Sequence, residues 1–199
     1  MKKQVLVIHG GDTFATEEEY INYLHNYEIN IERYKTNIDD WKPWLRNALG
    51  EDYEVILPIM PNKFNARFEE WKLWFEKIIP FLNEEVVLIG HSLGASFVAK
   101  YLSENRFPKK LAGVFLVSGV FDKDFLGYGL LSFALPEKLD MQTSKVYIYH
   151  SKDDPAVPFS ALEQFHKALP GSEIRVFEDR KHLNQPEFPE LVQDIKSIF

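Results

Sequence analysis

The sequence predicts an α/β fold, a three-layer α/β/α sandwich on a mostly parallel six-stranded sheet. Three observations carry this. Six short β-branched or apolar runs recur along the 199 residues. Each run is continuous rather than alternating, as expected of parallel strands covered on both faces. Helical patterns separate most of them, the mark of repeated βαβ units. The length suits one domain with a sizeable core and is short for two, so residues 1–199 read as a single domain.

Taken in order, the first strand is "QVLVIH" (4–9). An excursion over residues 11–39 follows, in which Thr16 and Glu19 can form a capping box for a helix carrying Tyr20, Leu24 and Tyr27. A helix from Trp41 to Leu49 leads to the second strand, "YEVILP" (53–58). Phe68, Trp71, Phe75, Ile78 and Ile79 then recur at helical spacing with charged residues between them, a core-facing stripe. The third strand, "EVVLIG" (85–90), runs into "LGASFVAKYLSEN", a helix that turns Phe97, Val98, Tyr101 and Leu102 to the sheet. The fourth strand is "LAGVFLVS" (111–118), followed by a second excursion over 119–143 with the apolar stretch "FLGYGLLSFAL". Strands "KVYIYH" (145–150) and "EIRVFE" (173–178) alternate with helices at 160–169 and 189–199. The two excursions either act as lid-like binding loops at the rim of the sheet or pack over exposed core.

A net charge of −7 and no Lys/Arg cluster longer than a pair leave no basic stripe, which argues against a nucleic-acid partner. No apolar run approaches the length of a membrane span, and the four apolar residues after Gln4 are too few for a signal peptide. A cytoplasmic protein with no membrane partner is the expectation. The absence of cysteine excludes disulfides, a thiol nucleophile and Cys-ligated zinc. No His or carboxylate spacing suggests a metal site, and no cofactor is expected.

The chemistry centres on "IGHSLGAS" (89–96). Gly90 and Gly94 flank Ser92 at matching distances, a strand ends at the motif and a helix starts from it. This is the setting of a nucleophile elbow. A serine turning sharply from strand to helix adopts a strained backbone, and glycines two positions either side avoid the collisions a Cβ would cause. The helix leaves its first N–H groups unpaired, so Leu93 N–H can face developing negative charge. Serine needs a base, an orienting acid and a second oxyanion donor. "IHGGDT" ends the first strand, where Gly10 permits close approach and Gly11 N–H is the first choice of donor, with Asp12 N–H in reserve. "HSKDDPAVPFS" supplies Asp154 and "EDRKHLN" supplies His182. With strand order 2-1-3-4-5-6 the first and third strands are neighbours, and Asp154 lies two strands from Ser92, about 10 Å, a gap an imidazole on a returning loop spans. Asp153, Asp122 and Asp124 are the rival acids. His9, His25, His91 and His166 read as structural, with the His91 side chain pointing away from Ser92, and His150 as able to hold a loop. Tyr128, Leu130, Leu131 and Phe133 either line an acyl pocket or cover the sheet.

The order Ser92, Asp154, His182 resembles that of the α/β-hydrolases. More narrowly, the chain resembles the small serine hydrolases of the retinoblastoma-binding type and their YdeN-like bacterial relatives. "VIHGG", "WKPWL", "LPIMPN", "GHSLGA", "SKDDPAVPF" and "KHLN" carry the resemblance, nearly end to end. It implies a minimal α/β-hydrolase core with esterase or related acyl-hydrolase activity and no metal. Two departures bear on substrate shape: the stretch from Thr13 to Asp40 is longer than the family's usual oxyanion loop, and Lys181 stands where a glycine is common. The expected reaction is attack by Ser92 on the acyl carbonyl of a small-molecule substrate, with His182 as base, Asp154 orienting it, and Leu93 and Gly11 N–H binding the oxyanion. A protein-binding module on the same scaffold and a peptidase or amidase are the rivals.

Overall fold

A computed structural model describes residues 1–31, 40–121 and 130–199. Its strands are β1 (Lys3–Ile8), β2 (Tyr53–Ile56), β3 (Glu85–His91), β4 (Lys110–Val117), β5 (Val146–Ser151) and β6 (Glu173–Phe177). The helices are α1 (Glu17–Asn26), α2 (Trp41–Leu49), α3 (Phe68–Ile78), α4 (Leu93–Glu104), α5 (Ser160–Ala168) and α6 (Pro189–Ile198). The strands form one sheet in the order β2-β1-β3-β4-β5-β6. Every adjacent pair is parallel. The register sets Ile8 opposite Gly90 and His91 opposite Val117, so the carboxyl ends of β1, β3 and β4 meet at one rim. Strand β2 stops at Ile56, shorter than the run that extends to Pro58, whose nitrogen has no hydrogen to give a ladder.

Alternation within the strands builds two cores. Leu6, Ile8, Leu88, Val114 and Ile148 face α3, α4 and α5, where Trp71, Phe75, Phe97 and Phe165 fill the layer. Val5, Val7, Ile89, Phe115 and Tyr149 face α2 and α6, against Trp41, Leu45, Leu191 and Ile195. Both faces of the central strands are therefore dry, which is why their sequences are unbroken apolar runs. Strand β6 departs from this pattern. Ile174 and Val176 are about 40% exposed, because β6 is the sheet edge and one of its faces lies beyond the covering helices.

The first excursion contains α1, capped as its sequence suggests: Thr16 Oγ1 accepts from Glu19 N–H (3.1 Å). The Glu19 carboxylate reaches back to Ala15 N–H (2.8 Å), one residue before the cap. No residue of α1 is buried, and Leu24 and Tyr27 stand open to solvent. The helix is attached through ring contacts of Phe14 with Tyr20 and Tyr23, and of Tyr27 with Phe64. In the second excursion Leu130 and Phe133 belong to the core, with Phe133 edge-on to Phe68 and Trp71. These two cover the sheet, while Leu131 borders a hollow of about 620 Å³ beside α1. Tyr128, Asp122 and Asp124 lie outside the described residues. Among the described residues no helix is long and apolar enough to cross a membrane.

Candidate active site

Ser92 sits between the last residue of β3 and the first of α4, with φ 55° and ψ −126°. A non-glycine residue in this region costs on the order of 1–3 kcal/mol and persists only where its surroundings impose it. The two glycines show how. A Cβ on Gly94 would overlap the carbonyl oxygens of Ile8 and His9, and one on Gly90 would overlap Gly94 and Ala95. Lacking them, α4 starts hard against β1 and β3, and Ser92 N–H is fixed to Val117 O (2.8 Å). Leu93 N–H is at the open first turn of α4, where helix geometry supplies no carbonyl.

The loop after β1 lies directly beside this serine, since a Cβ on Gly10 would fall 2.9 Å from Ser92 Cβ. His9 governs the loop's orientation. Its Nε2 accepts from Met60 N–H (2.8 Å), so its Nδ1 carries the proton and donates to Gly10 O (2.6 Å). Burial lowers the His9 pKa and keeps the ring in this neutral state. In a planar trans peptide the N–H points opposite the C=O, so gripping Gly10 O directs Gly11 N–H away from His9. Asp12 N–H, the reserve donor, is occupied by Lys63 O (2.8 Å). The Asp12 carboxyl accepts from Tyr23 OH (3.3 Å), joining α1 to the loop, and burial raises its pKa against that hydrogen bond.

Asp154 and His182 meet as a pair. His182 Nδ1 lies 2.8 Å and 3.0 Å from the two Asp154 oxygens. Oδ1 also accepts from Ala156 and Val157 N–H (2.8 and 3.0 Å), and His150 Nε2 is 3.7 Å from Oδ2. Burial pushes the Asp154 pKa up, but the His182 hydrogen bond and charge and the two backbone donors outweigh it and hold the carboxyl below its ordinary value. His150 donates to Val157 O (3.0 Å) and thereby holds the Asp154 loop.

Asp153, the neighbouring rival, faces the other way and is employed elsewhere. Its Oδ1 accepts from Ser151 Oγ (2.6 Å) and Lys181 N–H (2.8 Å), while Ser151 Oγ accepts from Arg180 N–H (2.9 Å). Residues 180 and 181 are thus pinned to the end of β5. Beyond them, His91 Nε2 donates to His182 O (2.9 Å) and Trp41 Nε1 to Leu183 O (2.7 Å). Lys181 and Leu183 have φ of 49° and 50°, so His182 lies between two left-handed residues. Lys181→Gly should relieve the first of these and raise stability by up to about 1 kcal/mol with turnover unchanged. A urea midpoint lower than that of the wild type would count against it.

Ser92, Gly10, Gly11, His91 and His182 line one hollow of about 540 Å³, along with Asp12, Asp40, Lys42, Lys63, Phe64 and Asn184. Lys42 is nearly enclosed, ion-paired with Asp40 (2.5 Å). No hydrogen bond joins Ser92 Oγ to His182 among the described residues, and such contacts commonly tighten only with substrate. Of the other histidines, His25 is exposed on α1 and His166 shares a hydrogen bond with Ser172 Oγ (2.9 Å). No group of three or more His, Asp or Glu among the described residues could hold a metal ion.

The family described as serine hydrolase matches residues 34–189, a span that includes Ser92, Asp154 and His182. The chain belongs to the serine hydrolase family. Among its relatives, YdeN of Bacillus subtilis (strain 168) is 30% identical over 166 residues, 80% of this chain and 75% of that one. The serine hydrolase RBBP9 of Rattus norvegicus is 25% identical over 161 residues, 79% and 86% of the two chains. The solved structure of the B. subtilis ydeN product superposes with a TM-score of 0.75 at 23% identity, covering 100% of this serine hydrolase and 99% of that chain. A meta-cleavage product hydrolase from Pseudomonas fluorescens, with TM-score 0.60 and 17% identity over 99% and 92% of the two chains, shares the fold. The sequence reading of this hydrolase missed what Trp41, Ser151 and Asp153 do. The available signals were the tryptophan opening "WKPWL" and a Ser and second Asp beside the chosen acid.

Proposed function

We propose that this hydrolase cleaves an ester or related acyl bond of a small polar substrate through Ser92, His182 and Asp154. The observation that carries the reading is the strained Ser92, facing the same hollow as a histidine whose Nδ1 is held by a buried carboxylate. With Nδ1–H committed to Asp154, Nε2 is the free base, able to take the Ser92 proton as Oγ attacks the carbonyl. Leu93 and Gly11 N–H stabilise the tetrahedral oxyanion. His182 then returns the proton to the leaving oxygen, and the acyl-enzyme is released by water that His182 deprotonates in turn. The hollow supports a polar substrate, since Asp12, Asp40, Lys42, Lys63 and Asn184 border it and Phe64 is its one large apolar wall among the described residues. A fluorophosphonate probe tests this directly. Covalent labelling at Ser92, slowed while p-nitrophenyl acetate is present in excess, is the expected result. A folded protein that is not labelled would instead be a binding module on a hydrolase scaffold.

A further inference from the structure

The strained loop that carries His182 closes one turn of its own, Leu183 N–H to Arg180 O (3.1 Å), and its ties to the rest of the fold fall into two sets. Ser151 and Asp153 fix its incoming arm, at Arg180 and Lys181, to the end of β5. The outgoing arm is held at two carbonyls by His91 and Trp41. His91 differs from the other three in its place in the chain, because it is the residue immediately before Ser92. It is buried at the end of β3, with its ring 5.0 Å from the His182 ring and edge-on to Trp41 at 5.9 Å.

We propose that His91 is a positioning residue that ties the nucleophile elbow to the base loop and sets the distance between Ser92 and His182. One peptide bond links His91 to Ser92, and one hydrogen bond links its Nε2 to the carbonyl of His182 itself. Asp154 and Asp153 refer His182 to β5 and the loop that follows it; His91 refers it to the strand bearing the nucleophile. The ring is suited to the task. It reaches the carbonyl through Nε2–H, and burial holds its pKa well below the ordinary value, so the ring itself adds no positive charge beside the imidazolium that forms on His182. Trp41 backs the ring and holds the next carbonyl, giving the tie a rigid support.

The inference rests on the proposed roles of Ser92 and His182, and its test separates the two. His91→Phe keeps a ring and loses the donor; His91→Gln keeps an N–H able to reach the same carbonyl. With p-nitrophenyl acetate, His91→Phe should lower kcat by about 10- to 100-fold with KM nearly unchanged, and His91→Gln should recover most of the loss. The downfield proton resonance of His182 Nδ1–H should survive in the Gln variant and broaden away in the Phe variant. Equal losses in the two variants, or an unimpaired Phe variant, would overturn the proposal. In the unmodified protein, ¹⁵N shifts should show His91 neutral with its proton on Nε2; a proton on Nδ1 would overturn it even if neither variant folded. Should the wild type hydrolyse no ester and resist labelling, the acyl-hydrolase reading falls, while the resonance and the tautomer still decide the tie.

Discussion

Ser92→Ala should abolish ester hydrolysis, a fall in kcat of about 10⁶ by analogy with other enzymes whose triad acts as a unit. Two features make the experiment clean. The serine hydroxyl has no hydrogen-bond partner among the described residues, so its removal strands no buried group. The strained φ is imposed by the main chain, by Gly90, Gly94 and the Ser92 N–H bond to Val117 O, and alanine inherits it unchanged. Unfolding by urea should therefore show little loss of stability, as when a residue kept for activity is replaced. A purified variant retaining a tenth or more of the turnover would exclude Ser92 as the nucleophile.

Asp154→Asn should cost about 10⁴ in turnover, since an amide can present its NH₂ to the imidazole and trap the wrong tautomer. The side chain is fully enclosed, with both oxygens committed to N–H donors, so no water can substitute for the lost charge. The same carboxylate makes a second, thermodynamic prediction. Its pKa is lower in the folded protein than in the unfolded chain, so the folded state holds the proton less tightly. Stability from this group is complete above the ordinary carboxylate range and is lost as pH falls through the depressed folded value. Urea midpoints measured from about pH 7 down to pH 3 should fall more steeply for the wild type than for Asp154→Asn. Parallel curves would show that Asp154 is not ionised in the folded state.

How far the sequence disclosed this arrangement depends on the range of the interaction. The strands are legible because each is a local run buried on both faces, and Ser92 is legible because the elbow needs its glycines within two residues. Asp154 and Asp153 are a harder case: they have the same chemistry one position apart, and only the folded turn sends one carboxylate to His182 and the other to Lys181 N–H. The choice between Gly11 and Asp12 N–H likewise depends on Lys63, some fifty residues away, which takes the Asp12 donor. His91 was expected to pack as a structural residue pointing away from Ser92. It is buried, but its Nε2 donates to a carbonyl 91 residues along the chain, and no spacing rule encodes that distance. The exposed face of β6 was hidden for a different reason, since being last in the sheet is a property of topology rather than of the "EIRVFE" run itself.

The ties across the rim also have a consequence for how the protein is made. Gly10, Gly11, Ser92 and the three strands β1, β3 and β4 that hold them all lie within the first 117 residues and can assemble as the chain emerges, whereas Trp41 and His91 find their acceptors only 142 and 91 residues later. Such distant contacts close late, after the loop-closure entropy between them has been met. A nascent chain shorter than about 180 residues would carry Ser92 in place without His182, the base proposed for it. The proposed site is then closed only by the loop between β6 and α6, long after its serine is in place.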